Sequence, residues 1–155
     1  MQATPVSTPR SRRAPPDDGL RALICENLRV IDGDAVHWTP IETALTVSGV
    51  PDLEGCWRGV QVWPECKRAT NWAMRINEFQ VGWLRRRERA GGRTFVVVRR
   101  HGQARGTGYD EIWIYRGVNA DILRLRGLRG HPPLLRLEGG PARWDWDRVG
   151  RVLFG

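Results

Sequence analysis

The run 94-TFVVV-98 constrains the fold more than any other stretch of this chain. β-Branched and aromatic side chains favour extended backbone. A short apolar run without polar alternation reads as a buried strand. Gly91-Gly92 precede it, and the polar, Gly-rich 101-HGQARGTG-108, which reads as a loop, follows it. Around this strand the pattern predicts further elements. Residues 17–30 suit a helix, with Asp17 and Asp18 able to cap its start and Leu20, Leu23, Ile24 and Leu28 at helical spacing. IDGD (31–34) turns the chain, and 36–42 is extended, interrupted by Pro40. Residues 49–67 read as two short strands joined near Arg58-Gly59. Residues 71–90 read as a helix with Ile76, Phe79, Trp83 and Ala90 along one face. Arg85, Arg86, Arg87 and Arg89 crowd the rest, and Gly91-Gly92 stop it. Then 110-DEIWIYRG-117 alternates as a strand, 118–128 suits a short helix, a Pro/Gly-rich passage follows, and 144–154 closes as a helix. This order implies an α/β fold, a central mixed β-sheet flanked by helices.

A chain of 155 residues suffices for one domain with a sizeable core, expected over 17–155. The Pro-, Ser- and Arg-rich residues 1–16 read as a disordered basic arm, and without an apolar stretch they do not form a signal peptide. No apolar run is long enough to span a bilayer, so no membrane partner is expected. The three cysteines (Cys25, Cys56, Cys66) form no CxxC pair, and their odd number argues against a disulfide framework and for a reducing cytoplasm. His37, His101 and His131 are scattered, so no zinc-ligand spacing is present. A net charge of +8 favours a polyanionic partner, with nucleic acid foremost, although a merely soluble Arg-rich protein has the same charge.

Of 25 lysines and arginines, a single one is lysine: Lys67, inside 62-VWPECKRA-69. A guanidinium is a planar fork that stays charged, whereas an ammonium is a compact point charge. A position that keeps lysine against such a bias is a candidate for chemistry. Strand alternation puts Glu65 and Lys67 on one face. Asp52 stands thirteen residues before Glu65, and on the two-strand reading both carboxylates reach the same end of a sheet. Like charges raise each other's pKa, and a divalent cation is one reason to hold them together. Mg²⁺ (or Mn²⁺) prefers oxygen ligands and keeps several waters, so one or two carboxylates suffice, with the Cys66 carbonyl as a further oxygen. In such a pocket the metal lowers the pKa of a bound water, and Lys67 positions that water or steadies charge developing on phosphorus. Each residue also has a plainer account: Asp52 as a turn residue after Pro51, Glu65 and Lys67 as a surface pair, and the arginines as a solvated face.

Asp52 followed by Glu65-x-Lys67 resembles the PD-(D/E)xK nuclease motif. The preceding 49-GVPD-52 is similar to the GxPD of archaeal Holliday junction resolvases and VRR-NUC-type nucleases. Residues 79–98 are similar to the helix and apolar strand that follow the motif there, with Gln80 as the matching glutamine and a Gly pair ending the helix. The segments 41-IET-43 and 110–117 are similar to stretches of small phage-type proteins of this class, and the likeness covers roughly residues 17–117. It implies a restriction-endonuclease-like core and a Mg²⁺- or Mn²⁺-dependent DNA endonuclease, structure-selective like a junction resolvase. It further implies phage or prophage origin in a bacterial cytoplasm, and a homodimer, because a resolvase cuts two strands. The implied catalytic set is Asp52, Glu65, Lys67, Gln80 and Glu42, with Glu42 preferred to Glu26 or Asp17 as the additional acid for its Ile-Glu context. The implied metal ligands are Asp52, Glu65 and the Cys66 carbonyl, and the implied DNA contacts are Arg68, Arg85, Arg86 and Arg89. Apart from the likeness, its polar setting makes Trp72 a less favoured candidate for stacking. A restriction-type endonuclease and a non-catalytic Arg-rich nucleic-acid-binding protein are the alternatives. Pro64 departs from the pattern. Proline removes a ladder donor and favours an edge or a bulge, so the strand is expected to start at Pro64 or to bulge there.

Overall fold

A computed structural model describes residues 17–42 and 48–155; the expected arm at 1–16 and Thr43 of the IET segment lie outside the described residues. A small hairpin of β1 (Val30–Ile31) and β2 (Asp34–Ala35) stands apart from the main sheet. The main sheet holds six strands in chain order: β3 (His37–Pro40), β4 (Leu53–Trp57), β5 (Val60–Ala69), β6 (Arg93–Ala104), β7 (Thr107–Arg116) and β8 (Leu135–Glu138). Neighbours are antiparallel except β5 and β6, which are parallel. A parallel pair needs a crossover, and helix α2 (Glu78–Arg89) lies within that connection.

The sheet is covered on both faces, and TFVVV records this directly. Phe95 and Val97 pack with Leu20 and Ile24 of α1 (Leu20–Asn27) and with Val149 and Leu153 of α4 (Trp146–Phe154). Val96 and Val98 pack with Val81 and Leu84 of α2 and with Ala120 and Leu123 of α3 (Ala120–Arg126). Successive residues thus serve opposite layers, which is why the run carries no polar alternation.

Asp32-Gly33 closes the small hairpin, and Arg58-Gly59 and Arg105-Gly106 fold the main sheet back on itself, with both residues of each turn at positive φ. That is the geometry which matches the strand twist in tight hairpins. The turn at Arg58-Gly59 agrees with the sequence reading. The segment 101–108 does not form the expected loop: β6 and β7 run on, pairing Ala104 with Thr107 across Arg105-Gly106. β8, inside the Pro/Gly-rich passage, is a strand the pattern did not disclose.

The helix expected over 71–90 begins at Glu78. Asn77 caps it by accepting from the Gln80 N–H at 2.9 Å, and 70–77 is committed elsewhere. The Trp72 carbonyl accepts the Leu128 N–H at 2.8 Å, and Asn71 accepts the Ala73 N–H at 2.9 Å. The buried side chains of α2 are Val81 and Leu84, while Phe79 is exposed rather than facing the core.

Pro64 lies within an internal strand. β5 pairs with β6 without a break from Val62↔Arg93 to Ala69↔Arg100, including Pro64↔Phe95. On its other side, β5 pairs with β4 only from Val60 to Val62. The missing donor is therefore accommodated by ending one ladder, not by a bulge.

Gly49 has φ +91, and a Cβ there would lie 2.2 Å from the Phe79 carbonyl oxygen. Gly91 has φ +89 with nothing within 4 Å of such a Cβ. Both Gly→Ala variants should lose about 1–2 kcal/mol to left-handed strain. Gly49→Ala should lose about 1–3 kcal/mol more, because helical backbone must move. Urea unfolding of the two variants checks this, and equal losses would contradict the close approach.

Candidate active site

Glu65 is completely buried on the face of β5 that α2 covers. Its Oε1 accepts from two donors: Lys67 Nζ at 2.8 Å and Gln80 Nε2 at 2.6 Å. Lys67 Nζ also donates to Gln80 Oε1 at 3.1 Å, closing a three-membered ring of side chains. Gln80 has a second duty as the N3 residue of a capping box. Its Oε1 accepts the Asn77 N–H at 3.1 Å while Asn77 caps the Gln80 N–H. The helix start and the Glu65–Lys67 pair are therefore one hydrogen-bonded unit. Asn77 went unnoticed in the sequence, although Asn-x-x-Gln ahead of a helix was its visible signal. Both side-chain donors converge on Oε1; the Asp52 N–H also acts on the carboxyl, while Glu65 Oε2 is buried with no partner at ordinary hydrogen-bond distance.

Asp52 stands one residue before β4. Continued three residues past Gly55↔Val62, the β4–β5 register would set Asp52 opposite Glu65, but ladder pairing stops short of it. The Cys66 N–H, on the side that β4 leaves unpaired, acts on the Asp52 carboxylate. Alternation along β5 then puts the nitrogen of Pro64 on that same side, where no partner strand asks it for a proton. In extended backbone the N–H and C=O of one residue point the same way, so the Cys66 carbonyl also faces the gap. Asp52 and Glu65 thus supply two carboxylates beside one main-chain oxygen. Among the described residues no three His, Cys, Asp or Glu side chains gather into a metal-binding group.

Both carboxyls titrate above their ordinary range. Glu65 is pushed from 4.5 up to about 7, chiefly by burial; Lys67 opposes the shift and the Asp52 charge adds to it. Asp52 is raised by burial, against the pull of Lys67 and Arg21, and Asp17 adds to the rise. The Cys66 thiol lies in the opposite layer and is pushed up by burial and by Asp52, Asp17 and Glu65.

Of the upstream acids, Asp17 is buried and accepts the Gly19 and Arg21 N–H groups at the start of α1, where Gly19 holds the N-cap position, while Asp18, the other expected cap, pairs with Arg68 and His101 instead. Glu42 is exposed, next to Ile41, whose N–H donates to the Asp52 carbonyl. Glu26 is exposed on α1. Arg21 acts on Asp52 and was not singled out in the sequence. Arg68 pairs with Asp18 at 3.3 Å, and Arg85 reaches Asp121 at 3.6 Å. Arg86 and Arg89 are exposed. Trp72 is half-buried, with the guanidinium groups of Arg100 and Arg129 stacked on it at 3.8 and 3.6 Å.

The Glu65 shift fixes the sign of a pH effect. The folded protein keeps a proton that the unfolded chain releases from about pH 4.5, so stability falls as pH rises from 4.5 to about 7 and stays reduced above that. Glu65→Gln removes this loss while keeping a similar shape. The melting temperature of the variant minus that of wild type should therefore increase from pH 5 to pH 8. A difference independent of pH would contradict the burial of an ionisable carboxyl here. No protein-family model and no curated protein matches this chain, so the functional reading rests on the residues and their geometry.

Proposed function

We propose that the chain is a metal-dependent endonuclease that hydrolyses DNA phosphodiester bonds at the Asp52–Glu65–Lys67 cluster, within a restriction-endonuclease-like core. The observation that carries the reading is Glu65: a carboxyl with one oxygen held by Lys67 and Gln80 and the other buried without a partner at ordinary hydrogen-bond distance. Buried polar atoms are mostly paired, so a buried carboxylate oxygen without a partner is open to a ligand. Three features add support. Helix α1, the antiparallel run β3–β5, helix α2 and the parallel strand β6 follow in the expected order. Gln80 lies in the first turn of α2, and Gly91-Gly92 follow its end. The net charge is +8.

The donor set suits a hard divalent cation: Asp52, Glu65 Oε2 and the Cys66 carbonyl are all oxygens, and Mg²⁺ completes its shell with water. Such an ion, when bound, would polarise a phosphoryl oxygen and activate water. The residues of the chain do the rest. Gln80 fixes the Glu65 rotamer. Lys67, with 18% of its side chain exposed, presents a cation from this buried pair toward solvent. There it can hold an attacking water or meet charge developing on the phosphate. Arg86 and Arg89 provide sequence-independent attraction to phosphates. Cleaving both strands of a four-way junction takes two such sites, so a homodimer belongs to the same proposal.

The test is single-turnover cleavage in Mg²⁺ or Mn²⁺ of duplex, single-stranded, flapped and four-way DNA, with binding measured separately in Ca²⁺. Lys67→Arg keeps the charge but not the compact geometry. It should cut about a hundredfold or more slowly while binding as wild type does. Wild-type cleavage by the Arg variant, or no cleavage of any substrate by the wild type, would overturn the proposal.

A further inference from the structure

The chain has eight Trp, two Tyr and three Phe, and among the described residues only Phe79 is exposed; every other aromatic side chain is buried or half-buried. Phe79 is 66% exposed. It immediately precedes Gln80, whose amide touches both Glu65 and Lys67. Its mount is rigid, because the capping box fixes the first turn of α2 and Gly49 packs against the Phe79 carbonyl.

A second observation lies on the same stripe of the helix. Phe79, Gly82 and Arg86 are spaced i, i+3 and i+7, and so share one face. Glycine inside a helix is unfavourable relative to alanine unless something needs the space. Here a Cβ on Gly82 would come within 3.1 Å of an Arg86 guanidinium nitrogen. The Arg86 side chain therefore folds back over the bare glycine, toward Phe79. The exposed face of α2 offers an apolar ring and a cation with only glycine between them. Glu78, beside Phe79, lies 3.7 Å from Arg124, which offsets its repulsion of a polyanion.

We infer that the Phe79–Gly82–Arg86 stripe binds an unpaired nucleotide, with its base stacked on Phe79 and its phosphate on Arg86. The preferred substrate then has a single-stranded stretch next to the scissile bond. This deepens the nuclease reading and rests on it for the role of the neighbouring cluster, but the stripe is read out by binding alone. Stacking on an aromatic side chain accepts any base, because each has a π-face. A base held in a duplex is already stacked and is not available to Phe79.

The experiment is fluorescence anisotropy in Ca²⁺ with labelled single-stranded, flapped and fully duplex oligonucleotides. It uses the full chain and the variants Phe79→Ala, Phe79→Tyr and Arg86→Ala, each checked for an unchanged melting temperature. Phe79→Ala should weaken single-stranded and flapped DNA about tenfold and duplex less than about twofold. Phe79→Tyr should restore binding, and Arg86→Ala should lower the salt dependence of single-strand binding. Equal weakening on all three DNAs, or none, would overturn the inference. So would a Phe79→Ala variant whose DNA affinity is unchanged while light scattering finds a dimer turned monomer, because Phe79 would then be a protein contact. A wild type that cleaves nothing, with the single-strand preference of Phe79 intact, would sink the hydrolytic reading and leave the stripe standing.

Discussion

Glu65 has no exposure to water, and a buried carboxylate is among the costliest groups a small domain can hold. Its surroundings meet only part of that cost. Lys67 and Gln80 attend to Oε1, Oε2 has no partner at ordinary hydrogen-bond distance, and burial still outweighs the pull of Lys67 and of the Asp52 N–H, so the carboxyl is pushed up to about 7. A buried ion pair of this kind adds little stability. Several local features follow from holding it. The N3 position of α2 carries glutamine, whose amide can both cap the helix and reach Glu65. The start of α2 is bound to β5 through Gln80 and to the GVPD segment through Gly49.

The ladder between β4 and β5 is the second element of the design. Pairing along a whole strand would have engaged the Cys66 N–H and C=O with a neighbouring main chain. Proline at 64 ends the β4 side of the ladder without disturbing β6. The Cys66 N–H is then left to act on the Asp52 carboxylate. The residue that looked least compatible with a motif strand is thus part of what makes room for two carboxylates and a carbonyl.

How much of this was legible depended on range. TFVVV, the Arg58-Gly59 turn, the Gly91-Gly92 stop and the shared face of Glu65 and Lys67 are local consequences of side-chain shape and strand alternation, and the structure has them. The start of α2 was not legible, because Trp72 and Ile76 precede Phe79 and Trp83 at helical spacing. The Trp72 backbone is instead engaged by Gly127 and Leu128, far along the chain. The hairpin at Arg105-Gly106 was hidden by the polarity of its strands beyond His101, which extend past the covering helices. β8 was hidden because short Pro- and Gly-flanked segments carry almost no periodicity. At the site, Asp52, Glu65, Lys67 and Gln80 were named in advance and lie together. The burial of Asp17 and the influence of Arg21 on Asp52 came only from the packing of α1 against the sheet.

In the proposed function, the gap beside Pro64 is an oxygen cradle for a divalent cation, with Lys67 at its rim. A crystal structure of the Mn²⁺-soaked protein tests it most directly through the anomalous difference map. One dominant peak is expected within coordination distance of the Asp52 carboxylate, Glu65 Oε2 and the Cys66 carbonyl, with Lys67 Nζ nearby but not bound to the ion. Manganese bound elsewhere on the protein, with no peak between Asp52 and Glu65, would contradict it.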